Sequence, residues 1–368
     1  MRKLYYIAQW GNDRRKAWSG TYYSLFESLK DKFELIDTPM EQSFSTKIRN
    51  ALVRRNLFVK YDFTLSDLKK SGKKVLSSID DTRFCTLQFA ELPMRKDAHN
   101  YVYLDMCPRY IEEVLLTDPV IKEHYFRKNA DMKALRKRCE TQEAFLKECA
   151  GIFTMGEWLA KYIVERLGVD PERVHCVQAG VEINTESIKP DRKGNKILFV
   201  GKDFDAKGGY LVVEAFRILR EKYMKDAELY ILGPANNPLK EDYPGVFYKG
   251  VVPYDEVIRF YNICDVFCMP SYAEPFGKVF IEALCSGLPC IGRSILSMNE
   301  IIRHGVNGYN IDKDDPEILA KYMNDLLHDD EIRKYVEEHG PEWQKQYSWE
   351  NVASKIAEII GQDEYYRT

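Results

Sequence analysis

The chain has 368 residues, 45% apolar and 13% aromatic, with 54 Lys and Arg against 57 Asp and Glu and a formal net charge of −3. This composition excludes a disordered chain, and no stretch approaches the ~18 uninterrupted apolar residues that a membrane span needs. Nine cysteines, an odd number without a C-x-x-C pair, fit a reduced, cytoplasmic protein without structural zinc; Cys264 and Cys268 read as core thiols.

Residues 3–9 open the chain as a strand rather than a signal peptide, because the apolar run is short and polar Gln9-Trp10-Gly11-Asn12-Asp13 follows. Further strands are predicted at 33–37, 83–89, 101–106, 151–155 and 174–178, then at 196–200, 228–232, 246–248, 265–269 and 288–291. Helical periodicity falls between them at 21–32, 131–149, 157–167, 209–223, 254–264 and 279–286. Ile197-Leu198-Phe199-Val200 is apolar at every residue, as a strand buried on both faces of a parallel sheet must be. The alternation implies an α/β chain of two doubly wound Rossmann-like domains. The polar stretch 184–195 reads as the linker between them. The boundaries are then 1–187 and 188–346, and a cleft facing the carboxyl ends of both sheets is the expected ligand site. Residues 347–368 hold an amphipathic helix, with Trp349, Val352, Ile356 and Ile359 on one face, expected to cross back to the first domain.

The charge is unevenly spread. Residues 1–100 carry 19 Lys and Arg against 12 Asp and Glu, and the remaining 268 carry 35 against 45. Two readings stand: a face for an anionic partner, or a solvated Lys-rich surface. No RNA- or DNA-binding motif is present, so nucleic acid is not an expected partner.

The densest chemical signal is Pro270-Ser-Tyr-Ala-Glu274-Pro275-Phe276-Gly277-Lys-Val-Phe-Ile-Glu282, which follows a buried strand and opens a helix. Pro275 and Gly277 turn the backbone tightly, so the first helical N–H groups can face an anion. Carboxylates beside such an anion site are accounted for by the hydroxyl groups of a sugar or ribose. Glu274 alone would read as an acidic helix start favoured by the macrodipole; with its flanking residues it reads as a ligand contact. A second loop, Gly201-Lys202-Asp-Phe-Asp-Ala-Lys207-Gly-Gly, sits between a strand and a helix, where two lysines could clamp a diphosphate. It is neither G-x-G-x-x-G nor a P-loop, which argues against a dinucleotide oxidoreductase or a kinase.

Glu274 to Glu282 resembles the E-x7-E signature of retaining glycosyltransferase family 4, whose fold is GT-B. Phe153-Thr-Met-Gly-Glu-Trp-Leu159, Val177-Gln-Ala-Gly-Val181, Tyr230-Ile-Leu-Gly-Pro234 and Phe247-Tyr-Lys-Gly250 are similar to its framing segments. The resemblance implies that Glu282 binds the ribose of a UDP-, GDP- or ADP-sugar, Glu274 the transferred sugar, and Lys207 the diphosphate, with no other cofactor. Backbone N–H groups of Phe276 and Gly277 would serve the sugar or leaving phosphate, Gly201 belongs to the phosphate loop, and Val251-Val252 would frame the base. Lys202 stands where the family usually has Arg, keeping the charge without the bidentate fork. Ser294 to Glu300 replaces a Gly-Gly-x-x-Glu-like turn, with Glu300 in register.

In the first domain Ala17-Trp18-Ser19-Gly20-Thr21 replaces the family's Gly-Gly loop. Gly20 could approach phosphate or acceptor, and Ser19 or Thr21 could cap the following helix; a capped helix start with Trp18 as packing is the alternative. For the family histidine near the reaction centre the candidates are Asp105, at the carboxyl end of its strand and preferred, and His99, read as a loop residue before that strand. The implied reaction is front-face transfer to a hydroxyl acceptor in polysaccharide or glycoconjugate synthesis, the leaving phosphate taking the acceptor's proton. No Asp-x-Asp lies at a strand end to hold Mg2+, so Lys202, Lys207 and helix N–H groups would stabilise the diphosphate without metal. The alternatives are a GT-B epimerase or phosphorylase and a non-catalytic nucleotide-sugar-binding module. Residues 46–59 place Ile48, Leu52 and Val59 on one helical stripe with Arg49, Arg54 and Arg55 outside it. That pattern suits either a core-packed helix or peripheral contact with an anionic membrane face, and lipid-linked acceptors are common among similar enzymes.

Overall fold

A computed structural model describes residues 2–41, 66–95, 97–126, 131–183 and 185–363. The candidate membrane helix at 46–59 lies outside the described residues. In chain order the first elements are β1 (Lys3–Ile7), α1 (Thr21–Leu29), β2 (Glu34–Asp37), α2 (Ser66–Ser77), β3 (Phe84–Gln88) and β4 (Ala98–Leu104). After two short helical turns come α3 (Met132–Glu148), β5 (Gly151–Thr154), α4 (Glu157–Glu165) and β6 (Val174–Cys176). There follow β7 (Lys196–Val200), α5 (Gly209–Lys222), β8 (Glu228–Leu232), β9 (Val246–Gly250), α6 (Tyr254–Ile263) and β10 (Val266–Cys268). The last are α7 (Lys278–Cys285), β11 (Cys290–Arg293), β12 (Gly308–Ile311), α8 (Pro316–His328), α9 (Asp330–Gln346) and α10 (Trp349–Gln362). Among the described residues no helix is long and apolar enough to cross a membrane.

Two compact units result, residues 1–180 with 348–368, and residues 181–347. In the first, six parallel strands run in the order β2-β1-β3-β4-β5-β6. Side chains at consecutive positions of the central strands are buried, among them Leu4, Tyr6 and Ile7 of β1 and Tyr101, Val102 and Tyr103 of β4, because helices cover both faces. Chain order reverses between β1 and β3, the switch point at which loops leave the sheet in opposite directions.

Helix α10 belongs to this first unit. Ser348 caps it through Asn351 N–H, and it buries Trp349, Val352, Ala353, Ile356 and Ile360. Ile359, expected on the buried face, is only half-buried at its rim, and Ile360 takes that place. Gly180 lets the Trp349 ring lie directly on the backbone, since a Cβ there would stand 2.5 Å from the indole. Lys32 to Glu350 (2.7 Å) and Lys355 to Gln178 (3.2 Å) flank the contact. His99 lies inside β4 rather than in a loop before it, where its Nδ1 meets Asp363 at 3.0 Å and joins Tyr101 in holding the end of α10. That contact makes His99 a fastening of the C-terminal helix.

The second unit carries six parallel strands in the order β12-β11-β10-β7-β8-β9. The described part of the polar stretch, residues 185–195, is fastened to this unit. Buried Asp265 accepts backbone N–H groups from Gly194, Asn195 and Lys196 at 2.8–3.0 Å. Arg192 donates to the carbonyls of Cys264 and Ser286 and to Glu337 at 2.7 Å. The sequence reading placed no element at 308–311 or 316–346. The strand β12 has Gly308 and Asn310 in a four-residue run, both poor strand formers. It forms because β11 offers a buried edge beside it.

Candidate functional site

The switch point of the second sheet falls between β7 and β10, and both predicted loops leave from it. After β7 the chain folds into a tight turn, with Lys207 N–H on Asp203 O (3.0 Å) and Gly208 N–H on Asp205 O (2.9 Å). Gly208 precedes α5 with φ +74°, and a Cβ there would meet Pro270 O at 2.5 Å. Only glycine permits both the left-handed backbone and the close approach of the two loops. Gly208→Ala is therefore expected to destabilise the fold by about 2–4 kcal/mol, through backbone strain and overpacking. Urea unfolding with a loss below about 0.5 kcal/mol would show that the loops part without cost.

Two hydrogen bonds stitch the loops together: Tyr272 N–H donates to Ala206 O (3.1 Å), and buried Ser271 Oγ also donates there (3.3 Å). The result is that Lys207 Nζ donates to Glu274 Oε2, with the two side chains only 21% and 16% exposed. Lys202 is exposed on the same loop, so of the two lysines it is Lys207 that meets Glu274. Gly201 underlies Lys207, whose Cγ would stand 3.0 Å from a Cβ at that position. Glycine at 277 takes φ +81° as the cap of α7, beside buried Phe276. By helix geometry the first N–H groups of α7 have no acceptor inside the helix and carry its positive end.

Glu282 lies on α7, only 5% exposed. Tyr254 Oη donates to one carboxylate oxygen (3.2 Å) and Tyr261 Oη to the other (3.1 Å). Burial pushes its pKa up to about 7, partly offset by Lys278 and the two phenols, while Glu182 adds to the rise. Val251 is 66% exposed just beyond β9, and Tyr254 three residues later links that segment to Glu282. Neither tyrosine was singled out in the sequence; what joins them to Glu282 is the packing of α6 beside α7, which spacing does not show.

A second omission is Arg293, buried at the end of β11. Its guanidinium reaches Pro270 O (3.4 Å) and Asp314 and lies 4.4 Å over the Tyr272 ring, whose hydroxyl donates to Asp314 (2.8 Å). It thereby holds the turn that leads to Glu274. Ser297 Oγ donates to Pro275 O (2.7 Å) from the loop where glycines were expected, and Glu300 beside it is exposed.

In the first unit Trp18, Ser19 and Gly20 take φ values of 45°, 54° and 88° in succession. Gly20, rather than the expected Ser19 or Thr21, occupies the cap position of α1, and Thr21 is the first helical residue. Asp105 lies just past β4 and lines a cavity of about 180 Å3 together with Trp18, Phe89, Glu91, Tyr103 and Arg138. Burial first, and then the Asp105 charge, hold the phenols of Tyr22 and Tyr103 above the usual tyrosine range.

Comparison with known proteins adds the following. The family described as glycosyl transferases group 1 matches residues 181–343. An uncharacterized glycosyltransferase of Methanocaldococcus jannaschii is 28% identical over 204 residues, 55% of this chain and 57% of that protein. The chain spans about half the length of the curated relatives it matches first. Among solved structures, sucrose-phosphate synthase from Thermosynechococcus elongatus is similar with a TM-score of 0.70 at 15% identity, over 98% of this chain and 99% of that one. HepE of Anabaena in complex with UDP-glucose is similar with a TM-score of 0.64 at 14% identity, over 99% of this chain and 100% of that one. At such identities the likeness is one of fold: two parallel-sheet α/β domains of the GT-B kind.

Proposed function

We propose that the chain is a retaining glycosyltransferase that moves a sugar from a nucleoside-diphosphate sugar to an acceptor hydroxyl, a reading supported by the match of residues 181–343 to the family described as glycosyl transferases group 1. The observation that carries this reading is the Lys207–Glu274 pair at the switch point of the second sheet, with Glu282 on the helix that follows. Lys207 and the N-terminus of α7, from Phe276 and Gly277, hold the diphosphate as a fixed positive site. Lys202 and Gly201 border it, and Val251 lies where the base is framed. Glu274 accepts sugar hydroxyls, and Glu282 accepts the two ribose hydroxyls. Each Glu282 oxygen has one phenol donor and a further lone pair for a hydroxyl. Asp105 and the backbone at Gly20 serve the acceptor.

In the reaction the bond from the anomeric carbon to the phosphate oxygen breaks, and a bond to the acceptor oxygen forms on the same face. The acceptor's proton passes to the leaving phosphate, so no enzyme nucleophile is required. Charge on the departing diphosphate is met by Lys207 and the α7 N–H groups. Turnover is accordingly expected to persist in excess EDTA; its loss, with recovery on adding Mg2+ or Mn2+, would overturn the metal-free mechanism.

The donor reading is tested by thermal unfolding with UDP, GDP and ADP and their glucose conjugates, UDP-glucose first because HepE was solved with it. A ligand at 100 times its dissociation constant adds about 2.7 kcal/mol. Stabilisation by one nucleotide series is the expected outcome, and no stabilisation by any of them would overturn the proposal.

A further inference from the structure

In the second unit a cation and an anion stand at the start of the helix that carries Glu282. Lys278 is the first residue of α7 and Glu282 follows one turn later, a spacing that puts their Cβ atoms about 5–6 Å apart on one face. Lys278 Nζ donates to both Glu182 oxygens, at 3.1 and 3.3 Å, with its own side chain 16% exposed. Glu182 is placed by the backbone before it: Val181 N–H donates to Tyr347 O (2.9 Å), and the Tyr347 ring is centred 6.4 Å from buried Phe276. Among the described residues, burial is the largest influence on the Glu282 carboxyl, followed by Lys278, then Glu182, then the phenols of Tyr261 and Tyr254 on α6. Burial keeps both phenols above the usual tyrosine range, so neither is charged near neutrality. The Cys285 thiol lies further along α7, and burial raises it as well. From α9, Gly340 and the uncharged Gln344 reach the helix at Cys285 O, while Arg192 and Glu337 pair with each other beyond its far end.

We propose that Lys278 and Glu182 are positioning residues of the donor site, acting on ribose binding in opposite senses through the charge that Glu282 carries. The inference rests on the reading of Glu282 as the ribose contact and adds the two residues that govern it. Lys278 favours the ionised carboxylate, which accepts hydroxyls through all its lone pairs, and Glu182 favours the protonated form. Breaking this one ion pair from its two sides therefore has opposite consequences. Without the lysine Glu282 keeps its proton to higher pH and the ribose is held less well. Without the Glu182 charge the carboxylate forms at lower pH and the ribose is held better. A pair that only braced the helix start would move binding in the same direction whichever partner was removed. Further contacts of either side chain alter the size of each shift and not its sign, which is set by the charge taken away. A unit charge about 6 Å away, at an effective dielectric of about 20, displaces such a titration by about one pH unit or more.

The test uses the full chain with Lys278→Met, Lys278→Arg or Glu182→Gln, each with and without Glu282→Gln. Urea unfolding without ligand and calorimetric titration with UDP, GDP and ADP are run from pH 5 to 9. The stability difference between each chain and its Glu282→Gln counterpart isolates the titration of that carboxyl. It should level off above about pH 7–8 in the wild type and in Lys278→Arg, about one pH unit higher in Lys278→Met, and about one unit lower in Glu182→Gln. At pH 6, affinity for the nucleotide that binds the wild type should fall about five- to tenfold in Lys278→Met and rise about three- to fivefold in Glu182→Gln, the curves converging at pH 9. Shifts of both variants in one direction, or of neither, would overturn the assignment. So would affinity changes that persist in the Glu282→Gln background, since Lys278 would then touch the nucleotide itself. If no nucleotide binds while the levelling-off points still move apart, the donor reading falls and the control of the Glu282 charge by this pair stands.

Discussion

Lys207→Ala is expected to weaken binding of the donor's nucleoside diphosphate about 100-fold or more, whereas Glu274→Gln should strengthen it several-fold and abolish transfer. In the free protein Lys207 Nζ is held by the Glu274 carboxylate, in a place where both side chains are mostly buried. A diphosphate arriving there competes with Glu274 for the ammonium. Removing the lysine deletes a charge-assisted hydrogen bond, worth about 1.5–3 kcal/mol, and leaves an uncompensated carboxylate facing the phosphates. Removing the carboxylate charge has the opposite effect on the nucleotide, because the ammonium then lacks its internal counter-charge. The sugar loses its acceptor at the same time, so transfer falls while nucleotide affinity rises. Isothermal titration at fixed ionic strength, paired with a transfer assay, reads both quantities. If the two variants shift nucleotide affinity in the same direction, the competition between carboxylate and diphosphate does not exist.

The parts of this site that were legible in the sequence are those written locally. Ile197 to Val200 could only be a strand buried on both faces, and a glycine-lysine loop directly after it had to lie at a carboxyl edge of the sheet. Glu274 and Glu282 were singled out because they flank one turn and one helix start. What was missed comes together only in space. Tyr254 opens α6 and Tyr261 lies about two turns further along, in an ordinary amphipathic pattern, and both acquire meaning when their hydroxyls reach Glu282 on α7. Arg293 ends an apolar strand, where a charge was the one available signal, and its partners Pro270 and Asp314 are about twenty residues away on either side. His99 went astray for the same reason: its partner is Asp363, at the far end of the chain. Local pattern gives the strand and its loop, whereas long-range packing decides what each side chain touches.

Titration of Glu282 should produce opposite pH trends in stability and in nucleotide binding. In the folded chain burial holds this carboxyl's pKa at about 7, against an ordinary value of 4.5. Between those values the folded state binds more protons than the unfolded one, so stability falls as pH rises and levels off above about pH 7–8. The span corresponds to about 3 kcal/mol at 1.36 kcal/mol per pH unit. Glu282→Gln cannot titrate, so its stability relative to the wild type should improve by about that amount between pH 4 and 8. Ribose hydroxyls, by contrast, donate to the ionised form. The ionised fraction rises roughly tenfold from pH 6 to pH 8, and affinity for the donor nucleotide should follow it in the wild type and stay flat in Glu282→Gln. Titration of the nucleotide's own phosphates is common to both proteins and cancels in the comparison. Denaturant unfolding and calorimetric titration of both proteins at pH 5, 6, 7 and 8 supply the four curves. Parallel stability curves would show that the carboxyl titrates alike in folded and unfolded chains. Parallel affinity curves would remove Glu282 from the ribose, since a carboxylate that holds two hydroxyls must lose its grip when it takes up a proton.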